Sequence, residues 1–144
     1  MLITQLSIFI ENRQGRLAEI TALLGEAGVN IHALSLADTT DYGIMRLIVS
    51  DPENAKTAMK ANGLMVKTTE VIAVSLTHKP GSLAGVLRKM ADVGISIEYM
   101  YAFTSRSPGH DAMVILKMEN QDEAIKKLDT CGIEILGAEV LDSL

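Results

Sequence analysis

The chain holds a single cysteine, Cys131, so it can form neither an internal disulfide nor a cysteine-based zinc cluster. A lone thiol fits a reducing cytoplasm. No stretch approaches the ~20 apolar residues that a membrane-spanning helix needs. The opening MLITQLSIFIENR has no basic leader ahead of its short apolar run, so it does not read as a signal peptide. An excess of positive charge is also missing. The net charge is -5 and the pI near 5.1, a balance that phosphate backbones repel, so nucleic acid is not an expected partner. Neither GxGxxG nor GxxxxGKS/T occurs, and the three histidines, His32, His78 and His110, show no HxH or HExxH spacing. The expectation is a soluble cytoplasmic protein with no membrane association, no cofactor and no metal site.

What is present is a large apolar fraction, 48%, and a repeat. Residues 12–31, NRQGRLAEITALLGEAGVNI, laid over residues 78–97, HKPGSLAGVLRKMADVGISI, match at five of twenty positions with a constant offset of 66. The identities are Gly15/Gly81, Leu17/Leu83, Ala18/Ala84, Gly28/Gly94 and Ile31/Ile97. Upstream, Leu6, Ile8 and Ile10 meet Ile72, Val74 and Leu76; beyond residue 40 the offset becomes 69, and Ala55, Met59 and Gly63 meet Ala124, Leu128 and Gly132. The slip falls at TSRSPGHD, a run of turn formers.

Each copy has one order of elements. Residues 4–11 alternate with period two and predict a half-buried strand. Leu17, Ile20, Leu23, Leu24 and Ala27 form a helical stripe over 16–27, closed by Gly28. Strands follow at 30–37 and 44–50. Asp51 and Pro52 open a second helix as N-cap and first helical residue, with Ala55, Ala58 and Met59 inward. A last strand covers 64–69. The second copy repeats this with strand 71–77, helix 82–93, strands 96–103 and 111–118, helix 121–131 and strand 133–140. The fold class is therefore α+β: two ferredoxin-like βαββαβ units, residues 1–70 and 71–144, packed side by side. Met59, Met65, Met90 and Met118 are expected as adaptable core filler.

The strand, polar triplet, glycine, any residue and leucine, then an amphipathic helix and Gly-Val-Asn-Ile opening the next strand, together resemble the ACT domain, a small regulatory module that binds amino acids. NRQGRL with AGVNI carries the resemblance in the first copy, HKPGSL with VGISI in the second, and it spans nearly the whole chain as a tandem pair. It implies a ligand held by the loop before the first helix and by the residue opening the second strand, at a domain interface. Transferred by position, the candidates are Asn12, Arg13, Gln14, Gly15, Arg16, Leu17, Asn30 and Ile31, then His78, Lys79, Pro80, Gly81, Ser82, Leu83, Ser96 and Ile97. Gln14 stands where the family often has proline, as in Pro80, and Ser96 stands where it favours asparagine, so the two sites are expected to differ.

The physics of the junction agrees. A helix N-terminus presents unpaired N–H groups and partial positive charge, which suit a carboxylate, and a glycine lets a ligand approach the backbone. The competing explanation is that both glycines only satisfy a strained turn. The expected function is a non-catalytic amino-acid sensor, a homodimer with a free amino acid as ligand. The alternative is the regulatory subunit of a metabolic enzyme, like the small subunit of acetolactate synthase. An acylphosphatase-like enzyme is a weaker rival: Arg13 or Arg16 and Asn30 loosely fit, and the rest of that motif is missing. Tyr99, Tyr101 and Phe103 alternate along one strand face, and in an acidic chain this reads as core or interface packing rather than base stacking. Cys131 reads as structural.

Overall fold

The computed structural model describes residues 2–38, 41–104 and 109–143, so half of the TSRSPGHD run lies outside the described residues. The chain divides into two compact units, residues 4–69 and residues 70–144 with residues 1–3. The first contains β1 (Ile3–Glu11), α1 (Arg16–Glu26), β2 (Ile31–Asp38), β3 (Tyr42–Val49), α2 (Pro52–Ala61) and the start of β4 (Val66–Leu76). Its strand order is β2-β3-β1-β4, with β3 antiparallel to both β1 and β2. The second unit contains the rest of β4, then α3 (Ser82–Asp92), β5 (Ile97–Thr104), β6 (Ala112–Met118), α4 (Gln121–Thr130), β7 (Ile135–Leu136) and α5 (Ala138–Asp142). Its order is β5-β6-β4-β7, with every pair antiparallel. Both units are thus α+β and βαββαβ-like, as the repeat predicts. No helix among the described residues is long and apolar enough to cross a membrane.

The period-two alternation places one side of each strand under the helices. In register, Leu6 faces Leu47 and Ile8 faces Met45; these four residues are buried with Ile20 and Leu24 of α1 and Ala55 and Met59 of α2. The second core uses the matching positions: Ile72, Val74, Leu116, Val114, Met90, Ala124 and Leu128, with Val86 partly buried against them. Burying each large aliphatic side chain contributes about 1.5–3 kcal/mol, so these layers supply a large share of the driving force in each unit. The ends of α2 follow the sequence. Asp51 Oδ1 accepts from the Asn54 N–H at 3.0 Å, and Pro52 occupies the first turn, where no N–H is missed.

Two expectations fail. The strand expected over 133–140 shrinks to Ile135–Leu136, and residues 138–142 turn into α5. Gly137 breaks the alternation, and AEVLD then brings Leu141 inward as a helical residue, 2% exposed. Met65 is 70% exposed rather than buried. Its neighbours Leu64 and Val66 pack against the first core, which leaves the residue between them pointing away. Met59, Met90 and Met118 are fully buried, as expected.

Leu128→Ala should cost about 2–5 kcal/mol through the cavity it leaves, whereas Met65→Ala should stay within about 0.5 kcal/mol. Urea unfolding of both variants checks this, and equal losses would contradict the assigned layers.

Candidate functional site

The loop between β1 and α1 is built on one turn. The Arg16 N–H donates to the Arg13 carbonyl at 3.3 Å, with Gln14 and Gly15 between them. Gly15 has φ 84 and ψ -10, the third-residue conformation of a type II turn, which requires a positive φ. The second copy matches: Ser82 N–H donates to the Lys79 carbonyl at 3.2 Å, and Gly81 has φ 85 and ψ -11. Each glycine is the N-cap of its helix, and no side chain caps either end, in contrast to α2. The glycine is thus demanded by the turn itself. The Gln14/Pro80 difference has the same origin, because they occupy the second turn position, where proline's fixed φ fits and other residues are tolerated. A Cβ built on Gly15 would meet nothing within 4 Å, so this backbone is also open on its outer side.

A pocket lies beside each loop, at equivalent places in the two units. In the first it measures about 130 Å³ and is lined by Ile10, Glu11, Asn12, Arg13, Arg16, Leu17, Leu36 and Gly43. In the second it measures about 350 Å³ and is lined by Leu76, Thr77, His78, Lys79, Leu83, Ala102 and Val114, among others. Ile10/Leu76, Asn12/His78, Arg13/Lys79 and Leu17/Leu83 are repeat partners at offset 66. Leu17 and Leu83, 40% and 37% exposed, are therefore pocket walls rather than core residues. Of the other loop candidates, Gln14, Gly15, Pro80, Gly81 and Ser82 shape the turns; Ser82 Oγ lies 2.9 Å from Thr77 Oγ.

Electrostatics divide the two pockets. Arg13 reaches Glu11 at 3.5 Å and Glu19 at 3.0 Å, and Arg16 reaches Glu19 at 3.0 Å. Hydrogen bonds from Arg13 first and Arg16 second hold the Glu19 carboxyl below its ordinary value. The group is solvent-exposed, so this pairing orients the two arginines more than it stabilises the fold. Arg16 Nε is buried with no hydrogen-bond partner among the described residues. In the second copy Thr77, Ser82 and Gly85 replace Glu11, Arg16 and Glu19, so the same network cannot form around Lys79.

The strand-opening candidates stand elsewhere. Asn12 N–H donates to the Asp41 carbonyl, at the start of β3, whereas Ser50 N–H donates to the Asn30 carbonyl just beyond its end. At ~3.3 Å per residue, Asn30 and Ile31 are on the order of 25 Å from the loop of their own unit. Ser96 is equally remote from its loop, its carbonyl accepting from Glu119 N–H. It lines a separate groove of about 460 Å³ with Glu119, Asn120, Glu123 and Lys127. There Lys127 and Asn120 already occupy the Glu123 carboxylate, at 2.7 Å and 3.3 Å. Ile97 opens β5 beside Met118. No signal in the sequence marks Leu36, Ala102 or Val114 as pocket residues, because strand pairing alone brings them to the loop. Cys131 packs against the second core, and His110 Nδ1 lies 3.1 Å from Ser75 Oγ. Tyr99, Tyr101 and Phe103 are half-buried on β5.

Two βαββαβ units, each with a pocket at a glycine-capped helix start, define a tandem module of the ferredoxin-like class. The chain belongs to the ACT domain pair family, whose profile matches residues 1–136; ACT domains are regulatory modules. It is 40% identical to a Bacteroides thetaiotaomicron protein of known crystal structure, with 100% of this chain and 98% of that one covered and a TM-score of 0.90. It shares its fold with the regulatory subunit of aspartate kinase from Thermus thermophilus, at 18% identity over 91% of this chain and 94% of that one, TM-score 0.60. The corresponding subunit from Thermus flavus gives 15%, 89%, 91% and 0.55. A search of curated proteins finds no match.

Gly15→Ala should destabilise the chain by about 1–2 kcal/mol, because an alanine in the left-handed region is strained. Gln14→Pro should stabilise it by about 0.4–1 kcal/mol through the unfolded state. Thermal melts of the two variants check the turn assignment, and a stabilising Gly15→Ala or a destabilising Gln14→Pro would refute it.

Proposed function

We propose that this chain is a non-catalytic regulatory protein that binds a free amino acid at the strand–loop–helix pockets, with residues 1–70 and 71–144 as its two ligand-binding domains. The observation that carries this reading is the repetition of one pocket at one place in both units, built from repeat-related residues. Family membership supports it, since ACT domains are regulatory. The chemistry fits a small anion-bearing ligand. Uncapped helix N-termini favour a carboxylate, and Arg13, Arg16 and Lys79 place positive charge at the rims while Leu17 and Leu83 supply apolar walls. Binding to the folded state alone then shifts its population, which is how such a module would report ligand to a partner.

A homodimer is part of the same proposal. Strand β2 is the outer strand of the first unit's sheet, and its Leu34 and Leu36 are 48% and 43% exposed. An unpaired apolar edge of this kind readily pairs with a second copy. A metabolic enzyme as further partner remains the alternative within the same ligand reading, and co-purification of a catalytic chain distinguishes it.

A thermal-shift screen of the proteinogenic amino acids should find at least one that raises the melting temperature in a concentration-dependent way; stabilisation reaches about 2.7 kcal/mol at a hundredfold excess over Kd. If none acts at about 10 mM, the amino-acid reading fails. Sedimentation should show a dimer, and Leu34→Lys should shift it towards monomer; an unshifted dimer would place the interface elsewhere.

A further inference from the structure

The two pockets differ at several lining positions, Arg16/Ser82 among them, and one strand position bears directly on their size. Where the first unit has Leu36, the second has Ala102, 66 residues on. Both residues sit in equivalent register, Leu36 opposite Met45 and Ala102 opposite Val114, so both stand on the helix-covered side of the sheet beside the loop. Leu36 reaches over Gly43, its Cδ1 only 3.3 Å from where a Cβ would lie, and the first pocket is left with about 130 Å³. Alanine at the same place leaves about 350 Å³ in the second. Only the larger value falls in the range of ~300–1,000 Å³ typical of small-molecule sites.

The linings differ in character as well. Leu76, Leu83, Ala102 and Val114 give the second pocket a mostly apolar wall, with Lys79 as its positive charge and, among the described residues, no carboxylate in the lining. The first pocket includes Glu11, Arg13 and Arg16, and its cations are engaged by Glu11 and Glu19. Resting on the reading of these pockets as metabolite sites, we infer that apolar selection belongs to the second unit. Its pocket takes a free carboxylate carrying a branched aliphatic or aromatic side chain, which the first unit's pocket is too small to accept. Lys79 and the α3 N-terminus hold the carboxylate, and the space that Ala102 leaves open takes the side chain. Because no lining carboxylate faces a ligand ammonium, the 2-oxo acid of the same side chain is a second source of this chemistry.

Calorimetric titration of the full chain with glycine, alanine, valine, leucine, phenylalanine, leucinamide and 4-methyl-2-oxopentanoate tests this. Affinity should rise along the series, leucine binding at least about tenfold tighter than alanine, since each buried methylene adds to transfer free energy. Leucinamide and Lys79→Ala should each weaken binding about tenfold by removing the charge pair. Ala102→Leu should abolish leucine binding; the first unit makes room for its leucine with Gly43, where the second has Ala112, so a thermal melt of this variant establishes that it folds before its binding is read. Leu36→Ala should add a second leucine equivalent per chain. Alanine or glycine binding as tightly as leucine would overturn the inference, as would unchanged leucine affinity in Ala102→Leu. If only the oxo acid binds, the pocket chemistry stands and the amino-acid reading falls; if no compound binds, both fall.

Discussion

Each unit depends on an apolar layer between its sheet and its two helices. Leu6, Ile8, Met45 and Leu47 face Ile20, Leu24, Ala55 and Met59 in one, and Ile72, Val74, Val114 and Leu116 face Met90, Ala124 and Leu128 in the other. A unit of about 70 residues buries too little surface to spare any of these positions. Strand register follows from this constraint, because a slip by one residue would turn every apolar side chain to the wrong face. The register in turn fixes which residues stand beside the loop that precedes the first helix.

That loop is where the fold shapes the candidate site. A type II turn with glycine at its third position delivers the chain into the helix with no side-chain cap. The unpaired N–H groups of the first turn are left for a ligand or water. The glycine thus has a structural reason sufficient by itself, and the opening it leaves is a consequence of that reason. The two explanations posed by the sequence are therefore compatible, since a turn that excludes side chains also exposes backbone.

Much of the fold was legible from pattern. The offset repeat, the period-two strands, the helical stripes, the Asp51-Pro52 helix start and the glycine stops each correspond to an observed element. The failures have local causes. Gly137 interrupts the alternation, and a short helix follows that buries Leu141. Met65 shows that an apolar residue between two packed neighbours in an extended segment must point outward. The loop half of the candidate site was legible from NRQGRL and HKPGSL, because turn chemistry is written in consecutive residues. Asn30 and Ser96 lie at the far ends of their units, a separation that adjacency of motifs in the sequence does not reveal.

The sequence by itself determined that there are two copies of one α+β unit, where their helices begin, and that glycine must hold each turn, since hydrophobic period and turn stereochemistry are local properties. Only the tertiary structure decided that Leu17 and Leu83 are pocket walls, that Arg13 and Arg16 share Glu19, and that Leu36 and Ala102 set unequal volumes beside matching loops. Leu36 is 19 residues beyond Leu17, and Ala102 is 19 beyond Leu83. Cross-strand pairing and helix packing bring these residues together, and no single segment of the chain encodes that proximity.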